Sequence, residues 1–307
     1  MFHVKRADAG GLEGVWRGSG GGLDAAGARL ARAGGMLALV WLAACSAPED
    51  AAGKTAAAAP ETAAAAATPP SPPSPAPAKV DFTDNEAKTV KGGEAKREFA
   101  YSWPAEVSAI PALAARFTAE RDKQLAEQKA DWQGSLEEFA DSDCFGCVNR
   151  DLQTSWQVVA NLPRFLSLSQ AFYAYTGGAH GNSGSAGLVW DREAGKALQP
   201  EDFFTSAKAM QDALGPRWCK ALGEARRAKM GGDAPVNDDT FPCPPIKDLT
   251  VLLGSKGKTA FDRIGLIADP YVAGSYAEGQ YEVTIPVTPA VLAAVKPEYK
   301  AAFALGK

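Results

Sequence analysis

Trp156-Gln157-Val158-Val159-Ala160-Asn161-Leu162-Pro163-Arg164-Phe165-Leu166-Ser167-Leu168-Ser169-Gln170-Ala171-Phe172-Tyr173-Ala174-Tyr175 is the stretch that decides the fold of this 307-residue chain. Residues 156–160 and 165–175 are rich in β-branched, aromatic and other apolar side chains, and Asn161-Leu162-Pro163 separates them, so the pattern predicts two strands. Upstream, residues 96–103 read as a strand with Phe99, Tyr101 and Trp103 on one face. A helix follows, with Ser108 as its expected cap, Pro111 in its first turn, and Ile110, Leu113, Ala114 and Phe117 at spacings of three and four. It continues through the charged residues 120–129 toward Trp132, and Gly134 is the expected stop. Downstream, residues 187–191 predict a strand closed by a turn at Ala194-Gly195-Lys196. Residues 206–229 predict a second helix, broken by Gly231-Gly232. Strands are expected again at 249–253, 264–268 and 281–287, before a short helix starting at Thr288-Pro289. Strands mixed irregularly with a few helices imply an α+β fold, with mixed or antiparallel sheets and a few packed helices, rather than a doubly wound sheet.

The rest of the chain is unlike this. Overall 46% of residues are apolar and 22% charged, which suits a globular protein, but up to about Pro77 no segment has the apolar periodicity that a core needs. The sequence therefore divides into a leader (1–44), an Ala/Pro-rich tether (45–80), an N-terminal α+β portion (81–160) and a C-terminal α+β portion (161–307). A net charge of −4 without a long basic run argues against a nucleic-acid partner, because neutralising phosphates takes clustered Lys and Arg.

In the leader, Arg29 and Arg32 precede the apolar run Met36-Leu37-Ala38-Leu39-Val40-Trp41-Leu42-Ala43, which ends in Ala44-Cys45. A positive region, a short apolar region and a small-residue cleavage site make a secretory signal, and the run is too short to span a bilayer. Leu42-Ala43-Ala44-Cys45 also resembles the lipobox of bacterial lipoproteins, which implies that Cys45 is lipidated and becomes the new N-terminus. Ser46, which is not aspartate, then favours the periplasmic face of the outer membrane, with the membrane as a partner through the lipid anchor. Behind it, the Ala, Pro, Thr and Ser of 46–79 bury too little apolar surface to offset their conformational entropy, and the prolines hold the tract extended as a spacer.

Beyond Cys45, the cysteines Cys144, Cys147, Cys219 and Cys243 allow three pairings. In an oxidising compartment the favoured set is Cys144–Cys147 with Cys219–Cys243. The second bridge closes a loop of about 25 residues and restrains the unfolded chain by roughly 3 kcal/mol. Two rivals are a redox-active Cys144-Phe145-Gly146-Cys147 pair and a zinc site. Asp141 and Asp143 disfavour the low-pKa thiol that redox catalysis needs, and Cys219 and Cys243 lack the close spacing of a zinc ribbon.

Once His3 of the leader is set aside, His180 is the one histidine, which excludes any site needing two. It stands in Tyr175-Thr176-Gly177-Gly178-Ala179-His180-Gly181-Asn182, just beyond a strand, where three glycines permit torsions that other residues resist. One reading groups His180 with Tyr175, Asn182 and Asp191 in a binding or acid-base site; the other has His180 hydrogen-bonding loop carbonyls over Tyr175. The adjacent acids Glu137-Glu138 and Asp238-Asp239 point apart and suit a solvated surface, and Asp191 with Asp202 is a further pair that only the fold can bring together. Trp156, Tyr173, Tyr175 and Trp190 are candidates for a sugar-stacking face or for core packing. There is no nucleophile elbow, phosphate loop or zinc-protease motif, and the sequence calls for no cofactor and no metal.

The Tyr175–Asn182 motif, the aspartate and Gly-Lys of Trp190-Asp191-Arg192-Glu193-Ala194-Gly195-Lys196, and then Leu198 and Glu201-Asp202-Phe203-Phe204 resemble the domain-of-unknown-function family 3298. So does Asp269-Pro270-Tyr271-Val272-Ala273-Gly274-Ser275-Tyr276-Ala277-Glu278-Gly279. The resemblance covers roughly 95–300. It implies an extracytoplasmic α+β module that binds something in the envelope, as in lysozyme-sensing anti-sigma factors and the non-catalytic region of certain peptidoglycan deacetylases, and it supplies no catalytic residues. Unlike the sensors, this chain shows no membrane helix or sigma-binding segment. The expectation is a lipid-anchored, non-enzymatic binding module that recognises peptidoglycan or a lysozyme-like protein through Tyr175, Gly177, Gly178, His180, Asn182 and Tyr271. The alternatives are a cell-wall glycan hydrolase or deacetylase with His180 and Asp191 as catalytic groups, and a structural lipoprotein without a ligand. Removing the leader's 5 basic and 3 acidic residues leaves a net charge of about −6, which favours a basic protein partner.

Overall fold

The structure is a computed structural model that describes residues 76–231 and 240–307. The leader, Cys45, most of the tether, and Asp238-Asp239 lie outside the described residues. Residues 76–307 belong to one compact unit.

In chain order come β1 (Val80–Thr83), β2 (Glu86–Val90), β3 (Gly93–Trp103), α1 (Ala105–Ser108), α2 (Pro111–Glu138), α3 (Phe145–Val148), β4 (Arg150–Asn161), β5 (Phe165–Tyr175), β6 (Asn182–Asp191) and β7 (Lys196–Leu198). Then follow α4 (Ala207–Met230), β8 (Thr250–Gly254), β9 (Arg263–Ala268), β10 (Tyr281–Pro286) and α5 (Pro289–Ala294), with short 3-10 turns between them. The large sheet has the order β1-β3-β4-β5-β6-β7, with β2 also on β3, and a three-stranded sheet has the order β10-β9-β8. Every pairing is antiparallel except β3 with β4. This is the expected α+β fold with mixed sheets. The parallel pair needs a crossover connection, and the 28-residue α2, about 42 Å long, supplies it.

Two local expectations about this crossover are corrected. Ser108 does not cap the long helix: its Oγ accepts the Trp103 indole N–H at 3.1 Å and donates to the Ala78 carbonyl at 2.6 Å, so it ties the end of β3 to the entering chain. The α2 cap position is extended Ile110, without a side-chain hydrogen bond, and Pro111 opens the helix. Gly134 does not stop α2, which runs on to Glu138. Trp132 and Ser135, on either side of it, are buried, with Trp132 packed on Ala95 and Val148, while Gly134 itself faces open space. That packing outweighs the ~1 kcal/mol helix penalty of glycine. By contrast, the helices expected to begin at Ser206 and Thr288 do so, with these residues as the caps of α4 and α5, each accepting a backbone N–H of its helix.

The large sheet is covered on both faces where β5 begins. On one face Phe99, Tyr101, Trp103, Trp156, Leu166, Leu168, Leu188 and Trp190 pack with Leu113 and Phe117 of α2. The Trp156 indole N–H donates to the Tyr101 hydroxyl at 3.0 Å, so both polar atoms are satisfied inside the core. Trp156 and Trp190 are therefore core residues rather than an exposed sugar platform. On the other face Phe165 and Val189 meet Phe203, Phe261, Phe303, the β8–β9 side chains and Leu214 and Trp218 of α4. Gly187 marks how closely the sheets approach, because a Cβ there would lie 2.4 Å from the Val251 carbonyl oxygen. Cys144 is bonded to Cys147, and Cys219 to Cys243, the favoured arithmetic. No described helix is long and apolar enough to cross a membrane.

Candidate functional site

Past the middle of β5, burial changes from complete to partial, and the strand leads into a glycine loop at the far end of the sheet from Phe165. Gly177 and Gly178 have φ of 96° and 103°, in the left-handed region that favours glycine. A Cβ on Gly177 would sit 2.9 Å from the Gly146 carbonyl oxygen, so the loop lies directly on the Cys144–Cys147 turn. The Tyr175 hydroxyl is placed to donate to the carbonyl of Gly178 at 2.9 Å or of Gly146 at 3.1 Å. Tyr175 is thus a support of the loop.

His180 meets the segment between β9 and β10. Its ring stacks on Tyr276, with centroids 4.4 Å apart and planes 23° apart, and Tyr276 lies 5.5 Å from Tyr271. His180 Nδ1 is 3.1 Å from the Gly181 carbonyl oxygen, which assigns the proton to Nδ1. Nε2 is then an acceptor, and the Tyr271 hydroxyl faces it at 3.4 Å. Tyr271 is 52% exposed and holds φ of 71°, a strained conformation for an aromatic residue.

Half-buried polar groups, with an exposed lysine, hold this arrangement. Asp269, two residues before Tyr271, accepts the Ser185 backbone N–H at 3.0 Å and its hydroxyl at 2.8 Å, pinning the segment to β6. Burial raises the Asp269 carboxyl above the usual carboxylate range despite these bonds. Glu278 closes the Tyr276 turn by accepting the Ser275 N–H at 2.7 Å, and it also accepts the Tyr281 hydroxyl. Burial pushes Glu278 up, but these hydrogen bonds outweigh it and hold the carboxyl below its usual range. The Lys229 ammonium donates to the Glu278 carbonyl at 2.8 Å.

Of the residues expected from sequence, Tyr175, Gly177, Gly178, His180 and Tyr271 thus come together in one loop cluster, with Asn182 at the first position of β6, paired with Ala174. Asp191 does not join them. It ends β6, nine residues on and about 30 Å away by strand rise, where its carboxylate holds Arg164 through two bonds of 3.0 and 2.7 Å. Asp202 accepts the Gln199 N–H at 2.9 Å in a turn. Tyr276 and Asp269 were missed, although both lie in the same quoted motif as Tyr271; Ser185 carries no local signal. Among the described residues, no three His, Cys, Asp or Glu side chains converge as metal ligands.

No curated protein matches the chain significantly. A domain-of-unknown-function family 3298 protein of Pseudomonas aeruginosa is similar in structure at 19% identity and a TM-score of 0.48, covering 76% of this chain and 99% of that one. A second member of that family, from Bacteroides fragilis, is similar at 16% identity and a TM-score of 0.42, covering 68% of this chain and 89% of that one. Residues 91–183 match the family model described as deacetylase PdaC, so that part of the chain is similar to a deacetylase-related family.

Proposed function

We propose that the chain is a binding module of the bacterial envelope that recognises peptidoglycan glycan through the surface made by His180, Tyr271 and Tyr276. The observation that carries this reading is the His180–Tyr276–Tyr271 ring series, partly exposed and held in place by half-buried hydrogen-bonding groups. Flat π-faces fixed before binding suit the apolar faces of pyranose rings, and little entropy is lost when they bind. The match of residues 91–183 to a family model described as a deacetylase is in keeping with an acetylated ligand, of which cell-wall glycan is one. Lipidation of Cys45 would hold the module at the periplasmic face of the outer membrane, with the tether as a spacer.

Catalysis is the less favoured reading. The hydrogen-bond partners of the His180 ring are a carbonyl and a phenol, and Asp191, its expected acidic partner, is bonded to Arg164 at the far end of β6.

The test is co-sedimentation of the purified domain with insoluble peptidoglycan sacculi. The wild type should bind, and Tyr276→Ala should weaken binding about tenfold or more, about 1.4 kcal/mol. Absence of wild-type binding, or binding at the wild-type level by both Tyr276→Ala and His180→Ala, would falsify the assignment. Salt separates glycan from the basic-protein alternative: added salt should leave glycan binding intact but weaken attraction to a basic partner. For the anchor, labelled palmitate should enter the full chain and not its Cys45→Ser variant.

A further inference from the structure

We propose that Cys144–Cys147 is a thiol–disulfide exchange site, and that its redox state sets the order of the His180 loop. The bridge encloses Gly146, and the Gly146 carbonyl oxygen is the anchor of the loop. It accepts the Gly178 N–H at 3.1 Å and stands 3.1 Å from the Tyr175 hydroxyl. Gly177 presses on the same turn, its virtual Cβ 2.9 Å from Gly146 O and 3.2 Å from Cys147 O. These anchoring contacts therefore fall on peptide units at or between the two half-cystines. α3 is only four residues long, far too short to persist by its own hydrogen bonds; the covalent bridge restrains Gly146 together with buried Val148 and the Arg150 guanidinium, which donates to the Cys147 carbonyl at 2.9 Å.

The bridge is also reachable. Cys144 is exposed and borders a cavity of about 450 Å³ between the β2–β3 hairpin and the end of α2. A dithiol reductant is the co-reactant. Its thiolate attacks Cys144 Sγ, the Cys144–Cys147 S–S bond breaks, and a mixed disulfide forms at Cys144 while Cys147 leaves as a thiolate and takes up a proton. The second thiol of the reductant then displaces Cys144, which is released and protonated. Two electrons pass from the dithiol, which ends as a disulfide, to the protein, which ends with two thiols. Gly146 loses its covalent restraint, and the loop from Gly177 to His180 loses its anchor.

Hydrogen exchange with mass spectrometry tests this without any ligand, so its outcome is independent of glycan binding. The samples are the oxidised domain, the same domain after mild dithiothreitol treatment, and a Cys144→Ser/Cys147→Ser variant that keeps Cys219–Cys243. Alkylation mapping reports which bridge has opened. The expected result is opening of Cys144–Cys147 with Cys219–Cys243 intact, and about tenfold faster exchange confined to residues 176–182 in both the reduced and the double-serine proteins. Tyr175→Phe, with the bridge intact, should show a smaller rise in the same segment. Unchanged exchange at 176–182 in the reduced and double-serine proteins overturns the proposal. So does faster exchange spread through β4–β6, or reduction of Cys219–Cys243 ahead of Cys144–Cys147.

Discussion

Asp151 and Asp191 stand opposite the two ends of β5, Asp151 across from Tyr175 and Asp191 across from Phe165. Both are buried, at 3% and 1% exposure, yet they titrate in opposite directions. Two hydrogen bonds from Arg164 hold the Asp191 carboxyl below the usual carboxylate range, helped by backbone N–H groups of Glu193 and Ala194. Burial raises Asp151 to about 6; its side-chain partner is Gln153, and the neighbouring Arg150 is turned to Asp131. Depth alone therefore does not decide the charge of a carboxylate; a cation at hydrogen-bond distance does. The same contrast runs along the strand. One end is an aromatic core with a paired charge, whereas the other carries a strained tyrosine and a glycine loop, the kind of departure from local rules that marks functional sites.

The largest effect should come from the core end. Phe165→Ala empties space beside Phe203 and Phe261 and should destabilise by about 3–5 kcal/mol, read by denaturant unfolding; a loss below ~1 kcal/mol would mean that this end is not the main core. The carboxylates come next. Because the folded pKa of Asp191 is lowered, its stabilisation is present above the unfolded value near 4 and disappears as pH falls below it. Asp191→Asn should therefore cost about 2 kcal/mol at neutral pH and converge on the wild type in acid. Asp151 has the opposite sign. Its raised pKa means that the folded state holds the proton more tightly, so stability falls as pH rises from about 4 through 6. Asp151→Asn should raise stability by roughly 1–2 kcal/mol at pH 7.5, with the gain vanishing near pH 4; identical pH profiles for mutant and wild type would remove the contrast. The smallest effect is at Tyr271, where glycine should be more stable than alanine by about 1 kcal/mol because only glycine relieves the positive φ. Equal melting of the two variants would show that the backbone is unstrained there.

Strands and helices were legible wherever the cause is local. Alternation in 96–103, the helix starts at Ser206 and Thr288 and the Asn161–Pro163 break all correspond to elements within a few residues. Ser108 and Gly134 misled because each has the local chemistry of a helix boundary, while a Trp103 contact in one case and burial of Trp132 in the other decided the outcome. At the site, the glycines and His180 could be singled out from sequence, because rare torsions and a lone imidazole leave a mark. Tyr276 could not be told from a core aromatic, and Ser185 and Asp269 meet across 84 positions.

The amino-acid order alone determined the α+β class, the strand and helix periods, and the presence of a glycine-rich bend before His180, all of which follow from the preferences of neighbouring residues. Only the tertiary structure decided that β3 and β4 run parallel, that His180 lies on Tyr276 rather than near Asp191, and which buried carboxyl has its pKa lowered and which raised. Those depend on distances between residues far apart in the chain, and hydrogen bonding, stacking and desolvation act only at such short range in space.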